Sequence, residues 1–284
     1  MVKVAMIQQQ CSTDKEKNID KALTYIREAS SNGAKIICLQ ELFSTTYFCN
    51  ELNEKYFNLA ETIPGPTINR IADVAKAEGV VVIAPIYERV IDGELYNTAT
   101  VIGPKGEIIG KYRKMSIPFV VSGSMKGMEK YYFKPGNLGF PVFQTPFGLR
   151  IGILICYDRH YPEAARALAL AGADVVFIPT AAAGKTEYRK LSMWEIELKA
   201  HAVINIYYVG GVNRVNYDIG SADSQAYNGS SMFVTPKGEI ISQAGDQNDE
   251  VIYGEIDPSV SAELRNSRGF YRDRRPDAYG CLSK

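Results

Sequence analysis

Histidine is scarce in this 284-residue chain: there are two, His160 and His201, and neither stands in an HExxH pattern or beside a second ligand-type residue. That scarcity argues against the common histidine-built zinc sites. Net charge is absent as well, because 32 Lys plus Arg balance 32 Asp plus Glu. A chain without a basic excess does not suit non-specific nucleic-acid binding, which draws on released counterions. No apolar run approaches the roughly 20 residues that span a bilayer. The opening MVKVAMIQQQ lacks the longer apolar segment and small-residue cleavage site of a secretory signal. The cysteines (Cys11, Cys38, Cys49, Cys156 and Cys281) form no CxxC pair and are odd in number, which fits reduced thiols in a cytoplasmic protein. On that reading the sequon Asn228-Gly229-Ser230 carries no glycan. Gly103, Gly106 and Gly110 precede Lys111, but not at phosphate-loop spacing, and Tyr112 stands where Ser or Thr would meet Mg²⁺. With no dinucleotide fingerprint either, nothing calls for a metal or a cofactor.

What is present is ordinary globular material, 46% hydrophobic and 23% charged. Short β-rich runs alternate with amphipathic stretches. VKVAMIQ, AKIICLQE, VVVIAPIYE, LRIGILICY, ADVVFIPTA and IYYVGGVNR read as strands. Helices are predicted from Lys15 to Asn32, from Pro66 to Gly79, over PEAARALALAG and near Lys190 to Val203. NTATVIGPKGEIIGKYR reads as a hairpin, and SSMFVTPKGEIISQA repeats its turn without any fixed period through the chain. The stretch from Met115 to Phe140 reads as loop-rich. The pattern predicts an α/β protein whose mixed sheet is covered by helices. No linker composition divides it, so residues 1–284 are expected to form one domain. Its Arg- and Tyr-rich tail, about residues 262–284, is expected to wrap a surface or a partner subunit.

The stretch LRIGILICYDRHYPEAARAL ends an apolar run on Cys156 and passes into a helix pattern. A thiol there is either core packing or a nucleophile on a tight strand-to-helix turn, with helix-start N–H groups available to an oxyanion. A nucleophilic thiol needs a base. His160, one turn into the expected helix, would point away from an elbow thiol, and His201 falls within a helix. A carboxylate remains. Glu41 follows the strand IICLQ, an expensive position for a charge unless it is paired or used. Lys114 ends another strand, in GKYRKM. Each has a plain reading, as a solvated strand end or a surface basic cluster. Together they are three strand ends carrying Glu, Lys and Cys, and ligands in α/β sheets bind beyond the carboxyl ends of strands.

LQELF, KYRK and ILICYDRHYPE, in that order and spacing, resemble the carbon–nitrogen hydrolase (nitrilase) superfamily. The likeness extends over MEKYYFKPGNLGFPVFQTPFG and NGSSMFVTPKGEII to essentially the whole chain. The resemblance implies a four-layer α-β-β-α sandwich that pairs with a second subunit, as a homodimer or higher homo-oligomer. It also implies a Glu-Lys-Cys triad falling on Glu41, Lys114 and Cys156, with a second glutamate best matched by Glu129. In that scheme Glu41 takes the thiol proton, while Lys114 and the backbone N–H of Tyr157 hold the oxyanion. CYDRH resembles the branch that removes carbamoyl groups, whose members acting on N-carbamoyl acids carry Arg three residues after the Cys, as Arg159 stands here. A guanidinium can grip a carboxylate through two parallel hydrogen bonds; the alternative is an Arg paired with Asp158 or Glu163. The expected substrate is thus a ureido acid such as N-carbamoyl-β-alanine or an N-carbamoyl amino acid. ELFSTTYFCN and RGFYRDRRPDAY instead resemble the N-carbamoylputrescine branch, although Ser44 stands where that branch has an acid. Ser116 stands where both branches have His. A non-catalytic assembly module is the alternative of a different class, against which the intact Glu, Lys and Cys argue.

Overall fold

A computed structural model of the chain describes all residues except 91–92, 123–124, 184–192, 222–224 and 284. The first predicted strand is β1 (Val2–Gln8), and helix α1 (Lys15–Ser31) leads from it to β2 (Ile36–Leu39). Asp14 starts α1 by accepting a hydrogen bond from the Lys17 N–H, and Ile19, Ala22, Leu23, Ile26 and Ala29 form its buried stripe. Helix α2 (Pro66–Glu78) begins on a proline and stops at Gly79, whose φ of 65° is the left-handed conformation that ends helices. It leads into β3 (Val81–Arg89), β4 (Leu95–Ile102) and β5 (Ile108–Arg113). With β16 (Glu250–Ile256) these strands make a six-stranded sheet in the order β16-β1-β2-β3-β4-β5.

The second sheet uses β8 (Val142–Gln144), β9 (Arg150–Ile153), β10 (Val175–Thr180), β11 (Tyr208–Asn213), β14 (Met232–Val234) and β15 (Ile240–Gln243). Its order from one edge is β8-β9-β10-β11-β14-β15. Helix α3 (Pro162–Leu170) joins β9 to β10, and α4 (Met193–Asn205) precedes β11. Read from β16 and from β8, the two sheets share one pattern of neighbours: antiparallel, parallel, parallel, antiparallel, antiparallel. The repeated PKGEII turn has its reason here, because β4-β5 and β14-β15 hold equivalent places in the two sheets. Both turns close identically, by Gly106 N–H to the Gly103 carbonyl and by Gly238 N–H to the Thr235 carbonyl. Gly106 and Gly238 have φ of 82° and 86°, which a side chain would resist.

Val4, Met6, Ile83 and Tyr112 of one sheet meet Ile151, Val175, Phe177 and Phe233 of the other in a central core. α1 and α2 cover the first sheet's outer face, and α3 and α4 cover the second's. The layers are therefore helix, sheet, sheet, helix, as the resemblance implies.

Local differences from the sequence reading have simple causes. Within the loop-rich stretch lie the small hairpin β6 (Val120–Ser122) and β7 (Met125–Gly127) and a 3-10 turn at Glu129–Tyr131, all too short to show a period. A second hairpin, β12 (Val215–Tyr217) with β13 (Ala226–Asn228), was equally illegible. The start expected at Lys190 lies outside the described residues. His160 lies in a 3-10 turn, Cys156–His160, ahead of α3 rather than inside that helix. At the chain end, helix α5 (Pro258–Arg268) takes up the first part of the expected tail. Tyr271 then donates to the Asn205 carbonyl, and its ring lies 5.6 Å from the Arg166 guanidinium and 5.4 Å from that of Arg265.

The sheets approach closely at Gly254 of β16, where an added Cβ would lie 2.2 Å from the ring of the fully buried Phe233. Gly254→Ala should therefore lose about 1–3 kcal/mol of stability by overpacking, read as a lower urea midpoint with an unchanged slope. An unshifted midpoint would show that the ring has room to move.

Candidate active site

Glu41 follows β2 and is fully buried. Its Oε1 accepts hydrogen bonds from Asn97 Nδ2 at 2.8 Å and Lys114 Nζ at 2.9 Å. Its Oε2 is buried with no hydrogen-bond partner among the described residues. The backbone is fixed from beneath. Leu42 has a φ of 51°, and the buried Arg214 guanidinium donates to the carbonyls of Glu41, Leu42 and Thr45 at 3.2, 3.0 and 3.0 Å. Asp218 pairs with Arg214 at 2.7 Å and accepts the Tyr47 N–H at 2.7 Å. One buried ion pair thereby shapes the whole turn that carries Glu41.

Lys114 leaves β5 with its N–H on the Asn97 carbonyl. Its Nζ lies 2.7 Å from both carboxylate oxygens of Glu129, whose Oε1 also accepts from Tyr47 Oη at 2.7 Å. Burial alone would depress the Lys114 ammonium, but Glu129 and Glu41 overcome this and hold it charged. Burial pushes the Glu129 carboxyl up to about 7, opposed by Lys114 and reinforced by Glu41.

Cys156 opens the 3-10 turn that follows β9, with a φ of 47°. Such a conformation is costly for a residue with a side chain and persists only where its surroundings enforce it. Asp158 does so: its buried carboxylate accepts from Ile155 N–H at 3.0 Å, Tyr112 Oη at 2.7 Å and Ser116 N–H at 2.8 Å. It ties the cysteine turn to the segment carrying Lys114. Burial pushes the Cys156 thiol up to about 12; Glu41 adds to this, while Lys114 and Arg159 oppose it. The resting thiol is neutral at ordinary pH.

Cys156 and Glu129 line one cavity of about 540 Å³, with Tyr47, Tyr157, Arg159 and Trp194 in its wall. Tyr157 sits in the first turn of the 3-10 segment, where N–H groups lack intrahelical acceptors. Arg159 Nη1 donates to the Cys156 carbonyl at 2.9 Å and lies 3.7 Å from its sulfur. Its counter-ion is neither Asp158 nor Glu163 but Glu197 on α4, at 2.9 Å. The same glutamate takes His160 Nδ1 at 2.5 Å, and His201 Nε2 bonds the Arg159 carbonyl. Both imidazoles are engaged away from the thiol. Among the described residues no His, Cys, Asp or Glu cluster could hold a metal ion, and no helix is long and apolar enough to cross a membrane.

Sequence reasoning named Glu41, Lys114, Glu129, Cys156, Tyr157 and Arg159; the last four line this cavity, and Lys114 joins Glu41 to the lining Glu129. It missed Asn97, Tyr47, Arg214 and Glu197. Asn97 alone left a signal, as an amide in an apolar strand.

Residues 3–266 match the family model described as carbon-nitrogen hydrolase. The chain is 38% identical to a Solanum lycopersicum protein named N-carbamoylputrescine amidase, over 99% of this chain and 95% of that one. It is 36% identical to the citrullinase of Francisella tularensis, over 98% and 96% of the two chains. The crystal structure of a carbon-nitrogen hydrolase from Helicobacter pylori G27 matches with a TM-score of 0.92 and 32% identity, covering 100% of this chain and 98% of that one. Sequence, layer order and strand topology lead to one conclusion: the chain belongs to the carbon–nitrogen hydrolase (nitrilase) superfamily, enzymes that act on non-peptide carbon–nitrogen bonds.

Proposed function

We propose that this enzyme removes the carbamoyl group from an N-carbamoyl alkylamine of the N-carbamoylputrescine kind, releasing the amine, CO2 and ammonia. The observation that carries the chemistry is the unpartnered, buried Oε2 of Glu41 in a cluster adjoining a neutral thiol. That oxygen takes the Cys156 proton as the sulfur attacks the carbamoyl carbon. Lys114 and the Tyr157 N–H stabilise the oxyanion; removing one such donor costs roughly 10²- to 10³-fold in rate. Glu41 hands its proton to the departing nitrogen. It then deprotonates the water that cleaves the thiocarbamate and passes that proton to the Cys156 sulfur, and the carbamic acid released breaks down to CO2 and the second nitrogen product, amine or ammonia. Overall one urea-type bond system and one water yield amine, CO2 and ammonia. Glu129 holds the Lys114 ammonium on station.

The choice of an amine is supported by the name of the 38% identical relative. A ureido acid is the second reading, favoured by one observation: Arg159 lines the cavity beside the sulfur. Ammonia release from N-carbamoylputrescine, N-carbamoyl-β-alanine and several N-carbamoyl amino acids, measured side by side, tests both. The proposal expects N-carbamoylputrescine to have the highest kcat/KM; a higher value for the acids would transfer the assignment to them.

Cys156→Ala and Glu41→Gln should each lower turnover at least about 10³-fold, since each removes a group that the bond-making step requires, with circular dichroism unchanged. Turnover within tenfold of wild type in either variant would remove that residue from the mechanism. The raised Glu129 carboxyl also sets a pH limit. As pH falls through about 7, Glu129 takes up a proton and loses its charge-assisted hold on Lys114. Wild-type kcat/KM should therefore decline on the acid side of that value. In Glu129→Gln, whose amide does not titrate, this limb should disappear and the maximal rate should drop. An acid limb at the same pH in the variant would assign it to another group.

A further inference from the structure

The cavity wall contains an arginine whose charge is cancelled from behind. Arg159 faces the cavity, and its Nε donates to Glu197 Oε2 at 2.9 Å, with side-chain exposures of 11% and 18%. Its guanidinium also lies 5.5 Å from the Trp194 ring, and Nη1 is held by the Cys156 carbonyl. Glu197 is anchored at its other oxygen by His160 Nδ1. Burial would raise the Glu197 carboxyl, but His160 and Arg159 outweigh it and keep the group ionised. Of the other charged side chains lining the described cavity, Glu129 is committed to Lys114 and Tyr47. Lys126 is exposed, where water and salt screen it.

We infer that Glu197 is a specificity-determining residue: by pairing with Arg159 behind the cavity wall, it makes the pocket favour substrates with a cationic or neutral tail over those with a carboxylate. The inference rests on the carbamoyl-transfer reading for its substrates, but its physical content concerns the charge of the pocket alone. Glu197 does not itself line the cavity. It acts through Arg159 by two effects, supplying a negative charge to the pocket and occupying the Nε edge of the guanidinium. Without that carboxylate, the same arginine would present an uncompensated cation beside the thiol, suited to a carboxylate.

The test uses Glu197→Gln, which keeps the shape and an acceptor for Arg159 while removing the charge. Alkylation of Cys156 by iodoacetamide is followed with butyrate or butylamine as competing probes of equal chain length. In the wild type, butylamine should protect better than butyrate. In Glu197→Gln, protection by butyrate should tighten about tenfold and protection by butylamine should weaken. Glu197→Asp, which keeps the charge, should retain the wild-type order. Adding Arg159→Gln to Glu197→Gln should abolish the gained butyrate protection. Butyrate protection that is unchanged or weaker in Glu197→Gln overturns the inference, as does a gain that survives the loss of Arg159. The preference for N-carbamoyl-β-alanine over N-carbamoylputrescine, as a ratio of kcat/KM, should rise in parallel. If the protection constants shift as expected while the wild type hydrolyses no N-carbamoyl compound, the reaction assignment fails and the charge assignment stands.

Discussion

A single ammonium group held between two carboxylates is the interaction on which the site depends. Lys114 Nζ touches Glu41 and Glu129 at 2.7–2.9 Å, and all three side chains are fully buried. A buried cation with one partner removed is typically destabilising by about 3–5 kcal/mol, so neither glutamate is a casual neighbour. Two carboxylates against one ammonium also leave an excess of negative charge when both are ionised. Burial raises both the Glu129 carboxyl and the Cys156 thiol, and the Glu41 charge adds to each rise. The arrangement therefore suits a mechanism in which proton removal accompanies attack. It does not suit one that keeps a preformed thiolate at rest.

The remaining framework keeps this cluster in register. The first sheet supplies Glu41 and Lys114 from the ends of β2 and β5, and the second supplies Cys156 from the end of β9. Asp158 bridges the sheets by binding Tyr112 of β5 and the Ile155 N–H beside the cysteine. Arg214, after β11, reaches back to the Glu41 turn. Both contacts cross the sandwich, so the relative placement of the sheets is also the relative placement of base and nucleophile. Close packing at Gly254 and Phe233 consequently bears on chemistry as well as on stability.

Much of this was legible in the sequence. Glu41, Lys114 and Cys156 stand out because a polar group at the end of an apolar run has a high desolvation cost, and because three such ends share one family spacing. The helices announced themselves by their stripes and stops, Gly79 among them. What stayed hidden were partnerships across long sequence separations. Arg159 and Glu197 are 38 residues apart, and Arg214 is 173 from Glu41. No local pattern pairs them, so the structural alternative for Arg159 extends only to the nearer acids Asp158 or Glu163. The repeated PKGEII turn was visible as an echo, yet its meaning required the strand order of both sheets.

The central claim is that Cys156 rests as a neutral thiol and loses its proton to Glu41 only during reaction. Ultraviolet thiolate absorbance, taken as the difference between wild type and Cys156→Ala across a pH titration, measures this directly. The account predicts no thiolate signal from Cys156 at neutral pH, with absorbance growing only in strongly alkaline solution. A full thiolate signal at pH 7 that persists into acid would contradict it.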